Sequence, residues 1–172
     1  MSIRAACLIA VVAAPLAAAA PSLSQPAQAT RAQTHYLVGC AGCHGIQGRS
    51  ETRVVPQLRD RVGYFLCTDE GRGFAVRLPN VAFADANDAE LADMMNFVMF
   101  GLGGEGSRGA RPYTAAEVAE LRARPLVRDQ LLATRESVIA NLPERCRAVA
   151  GAYTPDAPAE SGGRRPSSIR GD

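Results

Sequence analysis

The sequence predicts an all-α fold, and three observations carry that expectation. Leu91, Met94, Met95, Val98, Met99 and Leu102 recur at helical spacing and make one apolar stripe. Two helix starts read as capping boxes, Asn87 with Glu90 and Thr114 with Glu117. A second apolar set, Leu131, Leu132, Val138, Ile139 and Leu142, repeats the spacing nearer the C-terminus. A length of 172 residues accommodates one domain with appendages.

In chain order, Met1 to Ala29 has the form of a secretory leader. Arg4 is its lone charge, Ala5 to Leu16 is a nearly unbroken apolar run, and Ala27-Gln28-Ala29 is a small-x-small cleavage pattern. Leu8 to Ala20 contains a proline and is too short to span a bilayer, which needs about 20 residues. Cleavage is expected after Ala29, giving an exported product in a thiol-oxidising compartment. No later segment is long and apolar enough to be a membrane span. The expected domain covers 30–150, and a tail rich in Pro, Gly, Ser, Ala and Arg over 151–172 reads as disordered.

Within the domain, Gln33 to Gly42 reads as a helix with Tyr36 and Leu37 on its packing face. Gly45 to Gly73 reads as irregular, punctuated by glycines and Pro56. Inside it, Val62 to Leu66 is a short apolar run suited to a strand or buried turn. Asn87 to Gly101 is the clearest helix, followed by a glycine-rich loop. Another helix starts at Thr114 and stops before Pro125, and a last one runs from Leu126 to Leu142.

The chemistry is concentrated in Cys40-Ala41-Gly42-Cys43-His44-Gly45. C-x-x-C-H is the attachment signature of c-type haem. Two cysteines three apart on a helical turn face the same way, so both sulfurs can form thioethers with one porphyrin. The following histidine reaches the iron from the same side, and Gly45 lets the chain turn away. Other readings are weaker. A thioredoxin-type pair lacks a surrounding βαβ pattern and leaves His44 unexplained. A zinc site would have to recruit its remaining ligands from His35, Cys67 and Cys146. A disulfide between Cys40 and Cys43 would define a non-haem redox or structural protein.

With this motif preceded by a helix and followed by an irregular stretch and amphipathic helices, residues 33 to about 124 resemble a class I c-type cytochrome. The resemblance implies a monohaem periplasmic protein, a helical domain wrapped around one covalent haem c, with an extra C-terminal helix here. Cys40 and Cys43 would carry the haem and His44 would be the proximal iron ligand. The family's distal methionine typically precedes a proline. The comparable dipeptide before a capped helix here is Arg111-Pro112, a departure from the pattern. Met99 is the first candidate for the distal ligand and Met95 the next, both on the stripe that also holds Met94. His35 shares the proximal-side helix and is expected to be exposed or capping. Val54 to Leu58 should run along the proximal side.

Cys67 and Cys146 remain as an even pair, for which a disulfide is favoured over two buried thiols. Closing so long a loop is worth roughly 4 kcal/mol on the chain-entropy model. Arg53, Arg59 and Arg77 are candidates to pair with haem propionates. All 19 basic residues are arginine, and against 17 acidic ones they leave a net charge of +2. No dense basic stripe points to nucleic acid. The leading expectation is a single-electron carrier between a redox partner such as a periplasmic dehydrogenase and an acceptor, and not an enzyme. The alternative is a haem enzyme or a gas or peroxide sensor with an open sixth site.

Overall fold

A computed structural model describes residues 25–50 and 55–151, and among them the chain forms eight α-helices linked by short 3-10 and π segments, with no strand. The all-α expectation holds for these residues. The part of the expected leader before Gln25 and the expected tail beyond Gly151 lie outside them.

Helix α1 (Gln25–Gly39) buries Ala32 and Tyr36, one turn apart, and packs on α5. Leu37, expected on the same packing face as Tyr36, is instead 39% exposed. Adjacent helical residues point about 100° apart, so a single narrow contact cannot bury both. The chain kinks at Cys40, and α2 (Ala41–His44) is a single turn ending on the histidine.

Val62–Cys67 is a 3-10 helix and neither a strand nor a plain turn. No other extended run is present among the described residues to pair with it, so its amides bond locally, as Tyr64 N–H does to the Arg61 carbonyl at 3.1 Å. The expected irregular stretch also contains a true helix, α3 (Asp69–Arg77). Thr68 caps it by accepting from the Gly71 amide, and Asp69 and Glu70 occupy its first turn. Gly71 is there for space, because a Cβ would run into the Phe65 carbonyl oxygen. Helix α4 (Pro79–Ala82) follows at once.

Helix α5 (Asp88–Asn96) begins with the full Asn87/Glu90 capping box and continues as a π segment, Phe97–Leu102, in place of the uninterrupted α-helix expected there. The whole stripe from Leu91 to Leu102 is buried. Helix α6 (Ala115–Arg122) has only half of its expected capping box. The Thr114 side chain accepts from the Glu117 amide, but the Glu117 carboxylate turns away to Arg72 and Arg111. The helix expected over Leu126 to Leu142 is shorter, a 3-10 turn at Arg128–Gln130 leading into α7 (Leu131–Ala140), and a further, unexpected helix, α8 (Glu144–Gly151), follows it. Cys67 and Cys146 meet in disulfide geometry with Cα atoms 6.6 Å apart. Around them Tyr64, Ile139 and Leu142 form a small apolar cluster beside the main core.

Arginines tie the helices together. Arg72, 4% exposed, donates to both Glu117 oxygens at 2.5 and 2.8 Å and to the carbonyls of Arg111 and Pro112. Its guanidinium lies 3.9 Å from the Tyr113 ring centroid, and the Tyr113 hydroxyl donates to the Arg72 carbonyl. Burial pushes the Tyr113 phenol above its ordinary range. Arg122 fans out to the carbonyls of Ala82, Ala84 and Ala86 and to Asp88.

The Arg72 hydrogen bond holds the Glu117 carboxyl at about 2, below its ordinary 4.5. The resulting stability is present above pH 4.5 and drains away as the pH falls through 2. With the Glu117 side chain 18% exposed, the loss should be on the order of 2 kcal/mol after solvent screening. Glu117→Gln should lower stability at pH 7 by about 3 kcal/mol, since it strands a buried guanidinium. Denaturant unfolding across pH 2–7 checks this: the gap between variant and wild type should shrink toward acid.

Candidate functional site

A mostly apolar cavity opens between the C-x-x-C-H turn and the stripe of α5. Cys40 and His44 line it on one side, and Met94, Met95, Val98 and Met99 on the other. The expected proximal residue and both distal candidates therefore face one space. Cys43 sits beside it, exposed, and does not line the cavity. Both Cys40 and Cys43 are free thiols, and burial pushes the Cys40 thiol above its ordinary value.

The local chain makes this arrangement from short-range contacts. The amides of His44 and Gly45 bond back to the carbonyls of Cys40 and Ala41 at 3.0 and 2.8 Å, closing the helical turn. Gly45 then adopts φ +76°, and a Cβ there would collide with the Arg49 carbonyl oxygen. The Tyr36 hydroxyl donates to the Gly45 carbonyl at 2.5 Å, and burial raises its own pKa. His44 Nδ1 lies 2.7 Å from the Pro56 carbonyl oxygen. A carbonyl only accepts, so Nδ1 carries the proton and Nε2 keeps its electron pair for a metal. Pro56, Gln57 and Leu58 line the cavity on this side, along the expected path; Val54 lies outside the described residues.

The charged lining differs from expectation. Arg59 donates to the Gln47 and Gly101 carbonyls, and Arg77 to that of Arg124; neither reaches the cavity, and Arg53 lies outside the described residues. The arginines that line it are Arg61 and Arg135, and no acidic side chain among the described residues does. The dipeptide expectation also needs correcting. Arg111-Pro112 is held by Arg72 away from the cavity, whereas Leu78 lines it, with Pro79 opening α4. An apolar residue before a proline at a helix start was the overlooked signal. His35 is half-buried and does not line the cavity. Among the described residues no three His, Cys, Asp or Glu side chains converge as a metal cluster, and no helix is long and apolar enough to cross a membrane.

Gly45→Ala should cost at least about 2 kcal/mol, because the added methyl meets both a left-handed backbone and a carbonyl. Thermal unfolding should show the loss, and Gly42→Ala, whose Cβ would enter open space, should be far milder.

No protein-family model matches the chain, and no solved structure does. Two curated proteins do, each named cytochrome c-552, one from Thermus thermophilus and the other from a particular strain of that species. Both are 28% identical over 118 aligned residues, covering 58% of this chain and 90% and 80% of the respective relative. Over that stretch the chain is similar to a c-type cytochrome.

Proposed function

We propose that the protein is an exported monohaem cytochrome of class I type that carries single electrons between a redox protein such as a dehydrogenase and an acceptor. The observation that carries the reading is the cavity itself. It joins a C-x-x-C-H turn, whose histidine has its Nε2 pair available, to a methionine-lined helix across an apolar space. The chemistry around it fits haem c: apolar contacts for the macrocycle, the Cys40 thiol in the lining with the exposed Cys43 one turn on for its vinyl groups, and two arginines, with no acid from the described residues, for its two carboxylates.

On this reading Cys40 and Cys43 are the covalent anchors and His44 the proximal ligand. The Pro56 carbonyl fixes the imidazole's tautomer and orientation and raises its basicity as a ligand. Haem iron bound there would alternate between ferric and ferrous forms. The fully buried Met99 is the favoured distal ligand, with Met95 next. Its place on the π segment supports this. Bonding from i to i+5 winds the chain less per residue, which brings Met99 more nearly in line with Met95 on the cavity side. The apolar lining from Val62, Phe65 and Phe74 excludes water and favours the reduced form. Removal of the leader after Ala29 and a periplasmic location belong to the same proposal.

A second reading, an open sixth site that binds a diatomic or peroxide, is favoured by Leu78. It stands before a proline in the cavity and has no atom that can ligate iron.

Protein matured in a host competent for c-type haem attachment should keep its haem on a denaturing gel, and Cys40→Ala/Cys43→Ala should lose it. The carrier reading expects sharp low-spin bands and a weak methionine-to-iron charge-transfer band that Met99→Ala abolishes. Survival of that band in Met99→Ala and its loss in Met95→Ala would move the ligand to Met95. High-spin bands that shift with carbon monoxide in the wild type would favour the open site, and Leu78→Met should then convert the spectrum toward low spin.

A further inference from the structure

Helices α7 and α8 lie beyond residues 33 to about 124, whose pattern resembles a c-type cytochrome, yet α7 reaches the cavity and α8 packs on a segment that lines it. On α7, Arg135 and Ile139 stand one turn apart and both line it. Helix α7 packs on α3, where Asn141, just past its end, donates to Glu70 at 3.2 Å. Helix α8 packs on Val62–Cys67, the segment that gives Val62 and Phe65 to the cavity, and Cys146 meets Cys67 at that junction. The wall is therefore anchored at both ends to elements that build the pocket. The fixed charges lining the cavity are Arg61, at the start of the 3-10 segment, and Arg135. An apolar cavity that the described residues line with two guanidinium groups and no carboxylate is the complement of an apolar dianion.

We propose that Arg135 is a positioning residue for the haem site, pairing with one haem propionate from the helical pair that Cys67–Cys146 anchors, while Arg61 serves the other. The proposal rests on the haem reading above. A guanidinium close to the cofactor favours its form with one more electron, so it should raise the reduction potential. A residue with a merely structural role would not grade the potential by charge.

The test is redox titration of haem-loaded protein at low ionic strength, comparing wild type with Arg135→Lys, Arg135→Gln and Arg135→Glu. Arg128→Gln, a change of the same charge on the exposed surface, is the control. The potential should stay close to wild type in Arg135→Lys and Arg128→Gln, fall in Arg135→Gln and fall further in Arg135→Glu. Should Arg135→Gln fail to accumulate, Arg135→Met takes its place. A wild-type potential in the neutral variant, or an equal fall in Arg135→Lys, would overturn the assignment while the haem reading stands. Absence of covalent haem from the wild-type protein itself would overturn both.

Discussion

Tyr36 is the contact on which the rest of the architecture depends. It is wholly buried, and it joins three things that must be held together for the cavity to exist. Its helix carries the C-x-x-C-H turn, its hydroxyl holds the Gly45 carbonyl, and its ring meets Phe97 at 5.5 Å between centroids. The turn that presents His44 and the π segment that presents Met99 are thus referenced to one side chain. An apolar ring alone would give the packing without the turn. The phenol gives both, and burial keeps it a hydrogen-bond donor.

Much of this was legible in the sequence, where local chemistry and tertiary outcome agree. The stripe from Leu91 to Leu102, the Asn87 cap and the helical turn of Cys40 to His44 are all encoded within a few residues. Helix α3 was hidden because Gly71 and Gly73 read as loop punctuation, whereas Gly71 is needed for the close pass of Phe65. The Thr68 cap and the acids after it were the better signal. The Glu117 half of a capping box misled because a buried arginine from another helix competes more strongly for a carboxylate than a backbone amide does. Which arginines face the cavity depends on how α7 folds back, a fact that no local pattern contains. The same holds for Leu78, whose meaning comes from the space it enters.

Two parts of the molecule solve different problems. At the cavity, apolar side chains surround a few donors, an arrangement that leaves room for a large ligand. Around Arg72 the chain instead closes on a dense polar knot, in which Glu117, Tyr113 and two carbonyls saturate a guanidinium. That knot fixes α3 to α6 and, through the Asn96 side chain bonded to the Tyr113 backbone, to α5. Such a second anchor matters in a fold with an open apolar cavity, since the cavity by itself contributes little cohesion while it is unfilled.

The exclusive use of arginine acquires a physical meaning from these contacts. Arg59, Arg72, Arg77 and Arg122 all direct donors to backbone carbonyls, and Arg122 alone gathers three of them along one loop. A lysine ammonium is a compact point charge and could not span that fork. Carbonyl acceptors are also neutral, so dissolved ions have no opposite charge to screen in these bonds. An arginine-rich chain of this design should keep its loops seated in brine as well as in dilute buffer, using cations less as charges than as rivets.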